Sequence, residues 1–200
     1  MKGLEHYGDW NLFGVEVNEY AANLAREQGL DVRLGTLEQA HFPNDFFDVV
    51  TLWDVLEHLH DPAGCLQEIA RILKPDGLLV IRVPNASGLA ARMFGRYWAG
   101  FDAPRHLYVF TPATLAKLLA LNHFECVTQD TRLGAYSGFQ TSLRFWSGAR
   151  DKSNPLLDFA VKNLNHPFVR LILFPLFFLL SLGLRGPSLV TLARKNAGET

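Results

Sequence analysis

Short apolar runs alternate along the chain with stretches in which apolar residues recur every three or four positions. The first run, residues 12–17, is followed by Asn18 as a helix N-cap, by apolar residues at helical spacing, and by Gly29 as a stop. Residues 31–34 are predicted to form a second strand. Alternating strands and helices are typical of a mostly parallel sheet with flanking helices, so the pattern predicts the α/β class.

The third apolar run, residues 47–53, has apolar side chains on both faces, which predicts a fully buried strand. Asp61 and Pro62 are predicted to begin the next helix, and Thr111 and Pro112 a later one. Further strands are predicted at residues 78–83, 124–128 and 188–193.

Roughly sixty residues separate the last two predicted strands, which is too many for an ordinary loop. We therefore predict a single domain over residues 1–200, in which 1–131 and 188–195 form the core and 132–187 form a helical apolar insertion. Residues 168–184 are the most apolar part of the chain and fall short of the roughly 20 residues that span a bilayer. Several interpretations stay open. The segment is a buried or homodimer-forming helix, it makes peripheral membrane contact as an interfacial helix or a re-entrant hairpin, or it caps an apolar acceptor pocket.

The charges are nearly balanced, with 19 Lys and Arg against 20 Asp and Glu. We therefore expect no nucleic-acid partner, and no local basic patch is evident. Cys65 and Cys126 lack metal-type spacing, which favours reduced thiols and a cytoplasmic protein.

Polar side chains follow the predicted strands at the sheet edge where open α/β folds bind ligands. These residues are Glu16 after the first strand, Thr36, Leu37 and Glu38 after the second, and Asp54, Glu57 and His58 after the third. A carboxylate placed like that of Glu16 can accept hydrogen bonds from a ribose. A solvated carboxylate near a helix N-terminus explains its position equally well.

Three segments carry a family resemblance, and they occur in the order GVEVNEYAANLAREQG, GTLEQAHFPNDFFDVVTLWDVLEHLHDPAGCLQEIARILKPDGLLVIRVPN and DAPRHLYVFTPATLAKLL. Together they resemble class I S-adenosylmethionine-dependent methyltransferases of the methyltransferase-23 type, which are similar to ubiquinone-biosynthesis O-methyltransferases. The resemblance implies a Rossmann-like fold, S-adenosyl-L-methionine as cofactor, and O-methylation of a small or lipid-like acceptor. Membrane contact through residues 168–184 would place the protein at the inner face of a membrane.

The resemblance also implies roles for the residues at the strand ends. Glu16 is expected to hold the ribose of the cofactor, and Thr36, Leu37 and Glu38 to lie along the adenine. Asp54 is expected to border both the methionine moiety and the acceptor.

The spacing Asp54-x-x-Glu57-His58, with His106 in PRHLYVF, is similar to a metal-binding arrangement in some relatives. These four residues could hold a divalent ion such as Mg²⁺, or they could brace the loop and cap a helix. Without a metal, His58 or His106 could act as the general base for a hydroxyl acceptor. His60, beside the helix N-cap, is expected to be exposed.

The family's first strand and its GxGxG loop should precede Asn11, yet MKGLEHYGDW matches only the end of the helix that follows this loop. We therefore expect a chain truncated at its N-terminus, whose sheet lacks its central strand. The rival interpretation is a non-catalytic scaffold that associates with a membrane or oligomerises. A nicotinamide dehydrogenase does not account for the LEHL and PRHLYVF motifs.

The expected absence of the glycine loop leads to a testable prediction about cofactor affinity. Because this loop wraps the methionine end of the cofactor, the purified chain should bind S-adenosylmethionine only weakly. Calorimetric titration measures this directly, and a micromolar dissociation constant would show the prediction to be wrong.

Overall fold

The computed structural model describes residues 8–133, 135–149, 155–164 and 166–196. The chain divides into two compact units, Met1–Phe46 and Phe47–Thr200. Strands and helices alternate through most of it, so the predicted α/β class is confirmed. The prediction of a single domain stays a prediction.

The first unit contains a short βαβ arrangement of β1 (Phe13–Glu16), α1 (Glu19–Glu27) and β2 (Asp31–Leu34). The two strands are parallel, so their carboxyl ends lie at the same edge. The predicted cap of α1 is present, because the N–H of Ala21 donates to Asn18 Oδ1 at 3.0 Å. Gly29 follows the helix with φ +82°, a conformation that glycine adopts without strain.

The second unit is built on a four-stranded sheet of β3 (Phe47–Trp53), β4 (Leu73–Pro84), β5 (Phe124–Asp130) and β6 (Ser188–Lys195). The strand order is β3-β4-β6-β5. β3 and β4 are parallel, whereas β6 lies antiparallel to both of its neighbours. The sheet of this unit is therefore mixed, because β6 returns the chain between β4 and β5.

Four helices of this unit lie before residue 150, and the first and third of them begin where the sequence signals place them. The bounds are α2 Pro62–Ile72, α3 Leu89–Phe94, α4 Pro112–Ala120 and α5 Ala135–Gly148. Asp61 caps α2 by accepting the N–H of Gly64 at 2.9 Å, and Thr111 caps α4 by accepting the N–H of Thr114 at 3.1 Å. The capped helices bury Leu66, Ile69 and Leu115 completely, which anchors them in the core.

The expected full burial of residues 47–53 is wrong. Within the described sheet β3 is an edge strand that pairs only with β4, and Val49 and Trp53 are 38% and 48% exposed. An edge strand buries fewer of its side chains than a central one, so apolar residues on both faces did not mean burial here. At the start of β3, Asp48 forms an ion pair with Lys74 at 2.7 Å.

The predicted insertion between β5 and β6 is helical. After α5 come α6 (Pro155–Asn163) and α7 (Pro167–Leu180). α5 packs on α7 through edge-to-face contacts of Tyr136 and Phe139 with Phe177, whose ring centroids lie 5.2 and 5.0 Å away. In the described part of the chain, no helix is both long enough and apolar enough to cross a membrane.

Candidate active site

The candidate site begins in the loop directly after β3. The chain turns sharply at Asp54, whose φ of +52° is one that Asp tolerates better than most residues. The N–H of Asp54 donates to the carbonyl oxygen of Arg82 on β4 at 2.9 Å. A short 3-10 helix, Leu56–His58, follows and directs Glu57 inward.

The Asp54 carboxylate is held by Arg82 in a two-pronged ion pair. Arg82 Nε donates to Oδ1 at 3.0 Å, and Arg82 Nη2 donates to Oδ2. This carboxylate raises the pKa of the Arg82 guanidinium, chiefly through the hydrogen bond. The geometry fixes Asp54 in one orientation at the wall of the site.

Glu57 is the most unusual residue of this loop. Its side chain is completely buried, and neither carboxylate oxygen has a hydrogen-bond partner among the described residues. Burial raises the pKa of the Glu57 carboxyl, and the nearby Asp54 charge adds to the effect. Its own backbone N–H and the imidazoles of His58 and His106 act in the opposite direction. Such a buried group needs a proton, a cation or a ligand to compensate its lost hydration.

His58 and His106 are each held by a hydrogen bond from Nδ1 to a main-chain carbonyl oxygen. Nδ1 of His58 donates to the carbonyl oxygen of Arg105 at 2.9 Å, and Nδ1 of His106 donates to that of Gly100 at 2.8 Å. A carbonyl oxygen can only accept, so the proton of each neutral imidazole lies on Nδ1. Each Nε2 therefore keeps its lone pair for a proton or a metal.

Glu57, His58 and His106 come together as one cluster. One ligand atom from each residue lies within 4.8 Å of the others, and the two imidazole rings meet edge-to-face at 4.6 Å. Asp54 is not part of this cluster, because its carboxylate points to Arg82. Of the four metal ligands expected from the sequence, the structure thus groups three. His60 is exposed, as expected.

A cavity of about 250 Å³ opens beside this cluster. Its polar wall is formed by Asp54, Glu57 and His106. The other lining residues are mostly apolar or small and include Pro84, Trp98, Ala99, Gly100, Gly138 and Pro187. A small apolar chamber with a few convergent polar groups is a common form of ligand site.

The residues expected to contact a nucleoside lie in the first unit. Glu16 ends β1, and its Oε1 accepts the N–H of Asn18 at 2.8 Å. The N–H of Gly35, just after β2, donates to the carbonyl oxygen of Glu16 at 2.9 Å. Thr36 then exchanges hydrogen bonds with Gln39, which shapes the turn that holds Leu37 and Glu38. The structure therefore places Glu16 beside the turn that begins at Thr36.

Arg82 and Gly138 are site residues that the sequence did not reveal. Arg82 interrupts the apolar run of β4, and this single polar position was the only available signal. Gly138 lies on α5, far along the chain from the strand-end motifs, and no local pattern marks it.

Comparison with known proteins identifies the family. A family model described as "Methyltransferase domain" matches residues 4–129. The chain belongs to this family. The methyltransferase resemblance seen in the sequence is thereby confirmed, and membership implies S-adenosylmethionine as the cofactor.

The relatives of this methyltransferase-family chain include proteins of named activity. This chain is 38% identical over 122 residues to a ubiquinone biosynthesis O-methyltransferase from Bradyrhizobium sp. The match covers 56% of this chain and 48% of that protein. The chain spans about half of the length of such curated relatives, or less.

Two solved structures illustrate the fold of the family. The S-adenosylmethionine-dependent methyltransferase of Mesorhizobium loti matches with a TM-score of 0.59 and 15% identity, covering 97% of this chain and 84% of that one. The [4+2]-cyclase SpnF matches with a TM-score of 0.55 and 18% identity, covering 93% and 66%. At these identities the likeness shows the fold alone.

The unpartnered carboxylate of Glu57 predicts a pH-dependent effect on stability. Because burial raises its pKa in the folded state, the folded chain binds this proton more tightly than the unfolded chain does. The Glu57 contribution to stability therefore falls as pH rises above the ordinary carboxyl range, and it stops changing above the raised pKa. Glu57→Gln should be more stable than the parent at neutral pH, by about 1–3 kcal/mol.

Urea unfolding in the presence of a chelator measures this difference. The advantage of Glu57→Gln should shrink as pH is lowered toward the ordinary carboxyl range. Glu125→Gln replaces an exposed carboxylate and should change stability by less than about 0.5 kcal/mol. Equal stability of Glu57→Gln and the parent at every pH would contradict the prediction.

Proposed function

We propose that this chain provides the nucleoside-binding strand ends and the proton-accepting centre of an S-adenosylmethionine-dependent O-methyltransferase. The buried Glu57 carboxylate, set beside two Nδ1-anchored imidazoles at a cavity wall, carries this proposal. The relationship to a ubiquinone biosynthesis O-methyltransferase supports a hydroxyl as the methyl acceptor.

The strand ends of the first unit fit the nucleoside part of the cofactor. Glu16 offers carboxylate oxygens beyond the single bond that Asn18 donates to it, so it can accept from the two ribose hydroxyls. The turn at Thr36, Leu37 and Glu38 begins beside it, where an adenine ring would continue. These residues would hold the cofactor, which supplies an electrophilic methyl group on its sulfonium.

His106 is the best-placed proton acceptor. It lines the cavity, and its Nδ1–H is anchored to Gly100, so Nε2 is the nitrogen able to take the hydroxyl proton of an acceptor. The resulting imidazolium would lie beside the Glu57 carboxylate, which stabilises positive charge in a buried setting. Asp54, fixed by Arg82, is expected to position the acceptor.

The cavity favours a small aromatic or apolar acceptor group. Trp98 is only 2% exposed and gives the chamber a rigid aromatic wall, with Pro84 and Pro187 among its other apolar lining residues. The fold itself does not fix the reaction, as the match to a [4+2]-cyclase shows. For this reason the proposal depends on the cluster of Glu57, His58 and His106.

The proposed base is tested by measuring methyl transfer from labelled S-adenosylmethionine to catechol-type acceptors. The assay uses the protein expressed from its complete gene. His106→Gln should lower kcat by about 10²–10⁴-fold with little change in the KM for the cofactor. His60→Gln replaces an exposed histidine of the same loop and should keep the parental rate. A His106→Gln enzyme with full kcat would refute the role of His106.

A divalent metal is a second candidate for the same cluster. The Nδ1–H bonds to backbone carbonyls orient both imidazoles as they are oriented in many metal sites, and Glu57 adds a carboxylate. A metal held there could lower the pKa of an acceptor hydroxyl. With Asp54 bound to Arg82, the cluster offers two nitrogens and one carboxylate, which suits Zn²⁺ or Mn²⁺ better than the Mg²⁺ expected from the sequence.

Metal binding can be measured without any turnover. Calorimetric titration with Zn²⁺ should show one site whose affinity falls at least about tenfold in His58→Gln and in His106→Gln. His60→Gln serves as the control and should bind like the parent. If all three variants bind Zn²⁺ as the parent does, or if none of the four proteins binds it, the cluster is not a metal site.

A further inference from the structure

Helix α7 exposes more large apolar side chains than any other described helix. Six of them are at least 51% exposed: Phe168, Leu171, Ile172, Phe174, Leu176 and Leu179. Exposed apolar patches of this kind on folded domains commonly mark a contact with a partner or a membrane. Neither the methyltransferase fold nor the candidate site accounts for this surface.

The exposed side chains surround most of the helix. Phe177 and Ser181 are buried and Leu173 is half-buried, and their spacing of four residues marks one narrow stripe that faces the protein. At roughly 100° per residue, the exposed apolar positions cover about two thirds of the circumference. A helix that packs against one partner helix presents a narrower seam. A lipid phase, in contrast, can cover a helix from several sides at once.

Charge is distributed unevenly along the chain, although the totals nearly cancel. Residues 132–187 contain seven Lys and Arg but two Asp and Glu, a net charge of +5. The rest of the chain contains twelve basic and eighteen acidic residues, a net charge of −6. The balanced totals of the whole chain conceal this basic excess.

Three of the five described cations of the insertion lie near the ends of the apolar helix. Lys162 precedes α7, Arg170 lies in its first turn, and Arg185 follows its last turn, and all three are exposed. Cations that flank an apolar surface are typical of segments that bind anionic bilayers, because they meet the lipid phosphates while apolar side chains enter the acyl layer.

We propose that α7 docks this protein on an anionic lipid bilayer. At fourteen residues the helix is about 21 Å long, against a hydrocarbon core of about 30 Å, so it lies parallel to the membrane plane. Its exposed apolar side chains enter the interface, and Lys162, Arg170 and Arg185 stay at the level of the headgroups.

Docking through α7 places the candidate site close to the lipid. α5 contacts Phe177 of α7 through Tyr136 and Phe139, and the neighbouring Gly138 lines the cavity. Ser142, one turn further along α5, accepts the N–H of Ala99 at the cavity wall at 3.0 Å. One helix thus joins the membrane-facing surface to the site. This part of the inference rests on the proposed function, and it makes an acceptor dissolved in the membrane the natural substrate class.

Co-sedimentation of the purified chain with vesicles tests the docking surface independently of any methyl transfer. Vesicles of phosphatidylglycerol and phosphatidylcholine are compared with vesicles of phosphatidylcholine alone. The parent should bind the anionic vesicles and should be released by high salt. Leu171→Glu should lower the bound fraction at least fivefold. Leu121→Glu, a matched control whose side chain is 70% exposed against 71% for Leu171, should bind like the parent.

The other outcomes decide against the proposal. No binding of the parent to anionic vesicles overturns it, and so does equal binding of both Glu variants. A dimer in analytical ultracentrifugation that Leu171→Glu separates, without vesicle binding by the parent, would assign α7 to a second copy of the chain instead. Circular dichroism of each variant establishes that a loss of binding is not a loss of folding.

Discussion

Two hydrogen bonds to a single carbonyl oxygen hold the candidate site together. The N–H groups of Leu107 and Tyr108 donate to the main-chain oxygen of Glu57 at 2.8 and 3.2 Å. They fasten a segment almost fifty residues away onto the loop after β3. That attachment brings His106 to His58 and gives His58 the carbonyl of Arg105 as its acceptor. The buried side chain of Glu57 lies close to both imidazoles and has no hydrogen-bond partner among the described residues.

The rest of the candidate site is formed by β4 and by the helical insertion before β6. β4 carries Arg82, which orients Asp54, and ends at Pro84 on the cavity wall. β6 returns between β4 and β5, so the helical insertion that precedes it is held beside the site. Within that insertion α5 contacts both the cavity and α7. The proposed methyl transfer and the proposed membrane docking therefore both involve α5, although each can be measured without the other.

The sequence predicted much of this arrangement because its signals are local. Asn18, Asp61 and Thr111 cap helices as expected, and the bounds of β2 and β3 match the apolar runs. Other features depend on contacts between distant segments. Apolar residues on both faces could not show that β3 lies at a sheet edge. The spacing of Asp54, Glu57 and His58 could not show that the Asp54 carboxylate binds Arg82 and so lies outside the cluster. The hydrogen bonds of Leu107 and Tyr108 to the main chain of Glu57 also join segments almost fifty residues apart, which no local signal reveals.

Glu57, His58 and His106 form a single centre in which both imidazoles keep Nε2 available. Long-range proton–nitrogen NMR correlations of the histidine rings, recorded under mildly alkaline conditions, test it most directly. We expect both rings to carry their proton on Nδ1, and we expect Glu57→Gln to perturb the Nε2 resonances of both while leaving those of His60 unchanged. A proton on Nε2 of His58 or His106, or no response of either ring to Glu57→Gln, would contradict it.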